Sequence, residues 1–152
     1  MAPPGSESAL FNSSIITELG IWNKEHSLGF IFDSNAGFTL PNNAVRSPDA
    51  AFIKKEKWLI IPIEDKKKFA HICPDFVIEL PSDSDSAKIL QDKIKEWMDC
   101  GCLLAWMINP DKKETWIYRK NGEVDVKSFS SPLSGEDVLP GFTLDLESIF
   151  TN

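Results

Sequence analysis

Three side chains in this sequence have the types and the surroundings to do chemistry together: Asp49, Glu79 and Lys93. Two carboxylates can hold a hard divalent cation, Mg²⁺ or Mn²⁺, which prefers carboxylate oxygen and water as ligands. A lysine beside them can orient a water or offset the charge of a phosphate. Spacing alone is weak evidence, because two acids and a lysine within such a stretch occur in most chains. The setting is stronger. Glu79 lies inside Phe76-Val77-Ile78-Glu79-Leu80, a run apolar on both alternating faces, which suits a strand covered on both sides. An ionised carboxylate there is costly unless a cation or hydrogen-bond donors compensate it.

The elements that must position these groups follow from the local pattern. Ser82-Asp83-Ser84-Asp85-Ser86 supplies a polar loop with helix-capping residues, and the helix it starts carries Ser86, Leu90, Ile94 and Trp97 on one stripe. On a helical wheel Lys93 lies about 60° from Leu90 and about 40° from Trp97, at the edge of that stripe, while Lys88 and Lys95 face water. Cys100-Gly101-Cys102 ends the helix, with glycine in the C-cap region. Leu103 to Ile108 is a second buried strand, closed by the turn Asn109-Pro110-Asp111. Strand, helix and strand in this order imply a crossover between parallel neighbours. Asp49 enters another strand, Arg46 to Ile53, which can lie beside the first and bring both acids to one cation. Asp75 points to the same side as Glu79 but about 13 Å away, too far to share that ion without a bend. It is expected to cap the strand entry, bond backbone donors, or support the site from outside.

The pattern Pro74-Asp75-x3-Glu79, Ser82-x-Ser84-Asp85, Lys93, Trp97, Gly101, Trp106 and Asn109-Pro110 resembles the bacterial group called Uma (type two). Its members are restriction-endonuclease-like proteins of the PD-(D/E)XK nuclease superfamily. The resemblance extends over about residues 14 to 150, including the closing Leu139-Pro140-Gly141-Phe142. It implies an α/β fold with a restriction endonuclease-like core: a mixed central sheet, an N-terminal helix and a crossover helix. It also implies Mg²⁺- or Mn²⁺-dependent hydrolysis of DNA, with Asp49 and Glu79 as metal ligands and Lys93 as the catalytic lysine. Asp75 joins the site through its Pro-Asp match, and Glu18 as the acid that some superfamily members carry on the first helix. The plain reading of Glu18 is an acid favoured near a helix N-terminus. In one respect the chain departs from the superfamily: Pro81 stands where its usual lysine follows the acid by two residues, and the family resemblance moves that role to Lys93. The alternative function is a nuclease-like module that binds protein or nucleic acid without cutting.

Length and composition bound the rest. A chain of 152 residues, 42% hydrophobic and 26% charged, suits one globular core. Residues 1–12, rich in Pro, Gly and Ser, are expected to form a flexible tail, and 13–152 the domain, entered by a helix capped at Ser13-Ser14. Gly29 to Phe32 and Phe38 to Leu40 read as a β-hairpin. Lys54, Lys55, Lys57, Lys66, Lys67 and Lys68 form the dense basic region, a solvated loop or a contact for a phosphate backbone. Against this, a net charge of −7 opposes broad capture of nucleic acid without a cation. No apolar run suits a membrane span and no signal peptide is evident, so the expected location is cytoplasmic. Cys73, Cys100 and Cys102 read as free thiols, and a redox or zinc protein built on them fits least. A homodimer suits an enzyme that cuts both strands.

Overall fold

The computed structural model describes residues 5–82 and 85–150; Met1 to Pro4 of the expected tail and Ser84 of the family-like motif lie outside them. The chain opens with α1 (Ser6–His26), which buries Phe11, Ile15, Leu19 and Trp22 at helical spacing. The expected boundary at Ser13 is therefore corrected: Ser6 to Asn12 are helix. The reason is tertiary, since the Phe11 ring meets Phe150 with centroids 3.9 Å apart. Ser27, at φ 52°, ends the helix by returning its N–H to the Asn23 carbonyl.

Next come β1 (Gly29–Phe32), β2 (Phe38–Thr39), β3 (Val45–Arg46) and β4 (Ala50–Lys54). Two short helices follow, α2 (Lys55–Leu59) and α3 (Ile63–Lys66). The central unit is β5 (Phe76–Glu79), α4 (Ala87–Asp99) and β6 (Leu104–Asn109). The chain closes with β7 (Glu114–Arg119), β8 (Val124–Ser128), β9 (Leu133–Ser134), β10 (Thr143–Leu144) and α5 (Leu146–Phe150). Six strands form the main sheet in the order β1-β4-β5-β6-β7-β8. Within this sheet, among the described residues, only β5 and β6 run parallel, joined by α4 as the sequence pattern requires; the other neighbours are antiparallel.

The expected β1–β2 hairpin does not form. Instead β1 pairs with β4, Gly29 opposite Lys54, while β2 pairs with β3. Gly29 permits this, because a Cβ there would fall 2.2 Å from the Ile53 carbonyl oxygen. Joining the main sheet also covers both faces of β1, with Ile31 packed on one core and Phe32 on the other. Phe32 and Phe38, which a hairpin would have set on paired strands, meet edge to face at 5.3 Å.

The sheet has a core on each face. On one, Ile15, Leu19 and Trp22 of α1 pack with Phe76, Ile78, Trp106 and the closing residues Leu139, Phe142, Leu144 and Leu146. On the other, Leu90, Ile94 and Trp97 of α4 cover Ala51, Val77, Ala105 and Met107. The lysine-rich connection is anchored rather than loose: Trp58 packs on Phe32 at 5.1 Å, and Lys66 Nζ sits 5.2 Å from the Trp58 ring centroid. Among the described residues no helix is long and apolar enough to cross a membrane.

Candidate active site

The register of the two central antiparallel strands brings the acids together. Ala50 lies opposite Ile78 and Ala51 opposite Val77, and Asp49 forms a bend just beyond this last pair, beside the end of β5 that carries Glu79. Both carboxylates lie on one face of the sheet, near enough for the Asp49 charge to act on Glu79 and for Lys93 to act on both. That face is the one α4 covers, since Ala51 and Val77 belong to its core. The Asp49 N–H donates to the Ile78 carbonyl at 3.1 Å, and Asp49 Oδ2 accepts from the Leu80 N–H at 2.6 Å. Each strand thus grips the end of the other.

Helix α4 brings the lysine. Ser86 caps it, accepting from the Ile89 N–H at 3.2 Å, and the buried stripe Leu90, Ile94 and Trp97 sets its rotation. Trp97 Nε1 then donates to Glu79 Oε2 at 3.0 Å, and Lys93 Nζ lies 3.6 Å from the same oxygen. The Lys93 side chain is 40% exposed, so its ammonium borders both the buried acid and solvent. Lys88 and Lys95 bond Asp92 and Asp99 on the outer face. Among the described residues, no hydrogen bond reaches Asp49 Oδ1 or Glu79 Oε1, leaving each carboxylate one uncommitted oxygen.

Burial dominates the electrostatics. It pushes the Glu79 carboxyl up to about 7, with Asp49 adding to the rise while Lys93 and the Trp97 N–H oppose it. Asp49 is raised too, by burial first, against the Leu80 N–H and Lys93; the Asp85 charge adds to the rise. Two neighbouring acids that both resist ionisation form a site that a divalent cation would relieve.

The other sequence candidates lie elsewhere. Asp75 is buried at the opposite end of β5, where Oδ2 accepts from the Lys54 N–H at 2.8 Å and Oδ1 from Lys57 Nζ at 3.0 Å. It ties the start of α2 to the sheet. Glu18 is exposed on α1. The α1 residue that reaches the site is Asn12, whose Nδ2 donates to the Asp49 carbonyl at 3.2 Å. From Asn12, Glu18 is about 120° around the helix. Of the five candidates the structure gathers Asp49, Glu79 and Lys93.

Sequence reasoning missed three participants. Asn12 falls in the expected tail, and only the packing of α1 beside the start of β4 reveals it. Trp97 reads as core packing from its helical spacing, although a buried indole N–H needs an acceptor and a buried Glu79 needs donors. That signal was present. Asp85 reads as part of the polar loop and of the family-like pattern with no site role; it accepts from the Ser82 N–H and Oγ, and its charge reaches Asp49.

Among the described residues no group of three or more His, Cys, Asp or Glu is arranged to hold a metal ion. Two carboxylates nonetheless fit Mg²⁺ or Mn²⁺, because Mg²⁺ keeps several waters and is commonly held by one or two carboxylates with substrate phosphate. The three cysteines are free; burial pushes the Cys73 thiol up to about 12 and raises that of Cys102 as well. Such thiols are poor nucleophiles.

A mixed sheet flanked by an N-terminal helix and a crossover helix, with acids at the ends of adjacent strands, defines a restriction endonuclease-like α/β protein. The chain matches the Uma2 family, described as "Putative restriction endonuclease", over residues 1–147, and belongs to it. A crystal structure of "a putative nuclease belonging to DUF820" from Anabaena variabilis ATCC 29413 superposes with a TM-score of 0.81 at 20% identity, covering 99% of this chain and 83% of that one. At this identity the likeness establishes the fold. No curated protein matches the chain.

Proposed function

We propose that this protein is a divalent-metal-dependent endonuclease that hydrolyses DNA phosphodiester bonds. The observation that carries the reading is the meeting of Asp49, whose carboxylate bonds the Leu80 N–H next to Glu79, with Glu79 and with Lys93 Nζ 3.6 Å from the Glu79 carboxylate. Asp49 and Glu79 would hold Mg²⁺ or Mn²⁺ through their uncommitted oxygens. The bound cation would supply charge neutralisation at the phosphate and a more acidic water.

The remaining work falls to the chain's own residues. The Leu80 N–H fixes one Asp49 oxygen and the Trp97 N–H fixes one Glu79 oxygen, so both carboxylates are oriented before anything binds. Lys93, half in solvent, can turn from Glu79 towards a phosphate oxygen or hold the attacking water. Glu79, poised near neutrality, can keep or release a proton at working pH. Family membership supports DNA as the substrate class.

The test is supercoiled-plasmid nicking by the parent and by Asp49→Asn, with Mn²⁺, with Mg²⁺ and with a chelator. Nicking is expected only from the parent with metal. Equal nicking by Asp49→Asn would remove Asp49 from the chemistry. A parent that binds plasmid and never nicks would favour a nuclease-like binding module.

A further inference from the structure

We infer that Asn12 is a positioning residue for the Asp49 carboxylate, an assignment that rests on the two-carboxylate cation site proposed above. Asp49 lies just outside the sheet. The β4–β5 ladder begins at Ala50, and the pairing of β1 with β4 reaches only to Ala51. Among the described residues no backbone N–H donates to the Asp49 carbonyl. The donor comes instead from α1, where Asn12 Nδ2 lies 3.2 Å from that oxygen. With its own N–H on the Ile78 carbonyl at 3.1 Å, the Asp49 backbone is held from β5 on one side and from α1 on the other.

The orientation of the amide carries the second part of the argument. Asn12 precedes Ile15 and Leu19 by three and seven residues, which puts it on the buried stripe of α1. Its Oδ1 is buried and has no hydrogen-bond partner among the described residues. Flipping the amide would aim that oxygen at the Asp49 carbonyl, so the donor must face Asp49 and the acceptor is left over. An unpaired buried acceptor costs stability, and an apolar side chain on the same stripe would avoid the cost. A polar residue here is unfavourable for packing and useful for holding Asp49. A shift of that backbone would move one of the two carboxylates away from the other, a displacement to which metal affinity is sensitive.

Asn12→Leu separates the two roles, because it removes the donor and the orphaned acceptor while keeping a helix-forming side chain of similar size. The free Mn²⁺ signal in electron paramagnetic resonance reads affinity, the metal-free thermal midpoint reads stability, and plasmid nicking gives kcat and KM. The expected result is Mn²⁺ affinity about tenfold or more weaker, an unchanged or higher metal-free midpoint, and lower kcat at unchanged KM. Asn12→Ala repeats the reading should leucine not fit. Parent-like Mn²⁺ affinity in the variant would overturn the assignment while leaving the site intact, as would a loss of affinity that merely tracks a lower metal-free midpoint. A parent that takes up no Mn²⁺ would overturn the cation site, and the assignment with it.

Discussion

Glu79 is held between a buried environment that favours its neutral form and two donors, Lys93 and Trp97, that favour its charge. Burial wins, and the consequence is a pH-dependent stability. Its folded pKa of about 7 stands above the ordinary 4.5, so the folded chain holds this proton more tightly than the unfolded chain. Stability from this group is therefore greatest at acid pH, falls as pH rises from 4.5 to about 7, and is flat beyond. The full difference corresponds to about 3 kcal/mol. Without divalent ions, Glu79→Gln should unfold at a higher temperature than the parent at pH 8 and near the parent's at acid pH. Thermal melts across that range check it, and a variant less stable at pH 8 would mean the charge is fully compensated. The lysines make a second comparison. Lys93→Ala should abolish metal-dependent nicking, whereas Lys95→Ala should leave it, since Lys95 is 72% exposed and bonded to Asp99. Equal losses in plasmid assays would indicate general attraction to DNA.

At the scale of elements, β5 divides its two acids between two tasks. Its C-terminal end presents Glu79 to α4, and its N-terminal flank presents Asp75 to α2. Asp75 joins the Lys54 N–H and the Lys57 ammonium, so it fixes where β4 turns into α2. Removing it leaves a backbone donor and a half-buried cation without their acceptor. Asp75→Ala should cost about 2 kcal/mol, read by chemical denaturation, while Mn²⁺ uptake and nicking below the melting temperature persist. Loss of Mn²⁺ uptake in a folded Asp75→Ala would place Asp75 in the site after all. Helix α4 has the complementary task. One helical stripe carries Leu90, Ile94 and Trp97 into the core and leaves Lys93 at its edge, so packing alone aims the lysine at Glu79.

For the whole molecule, the acid pair is a local strain on the folded state that a bound cation would remove. Mg²⁺ or Mn²⁺ at a hundredfold excess over Kd should stabilise the fold by about 2.7 kcal/mol, a rise of about 5–10 °C in thermal midpoint for a chain of this size. Asp49→Ala should lose that response. No shift in the parent with either ion would favour the binding module. The net charge of −7 adds a condition on the substrate. DNA binding should be weak in chelator and should fall steeply as salt is raised. A homodimer remains a proposal, checked by sedimentation with and without duplex DNA.

The sequence by itself determined the β5–α4–β6 unit and the meeting of Glu79 with Lys93. Both follow from period: strand alternation buries Glu79, and helical rotation sends Lys93 to the sheet and Lys95 to water, with no distant partner consulted. Straight-strand spacing likewise separated Asp75 from Glu79 before any contact was known. Only the tertiary structure decided that Asp49 comes beside Glu79, because the register of β4 against β5 is set across a long connection and a slip of one residue would carry Asp49 away from that face. The same dependence explains the misread hairpin, where Gly29 lets β1 lie against β4. It also explains the N-terminal turns, where Phe11 needs Phe150 and Asn12 needs the end of β4. Local hydrogen bonding and periodicity are written in neighbouring residues, whereas the partner of a strand end or a helix face is written in residues far along the chain.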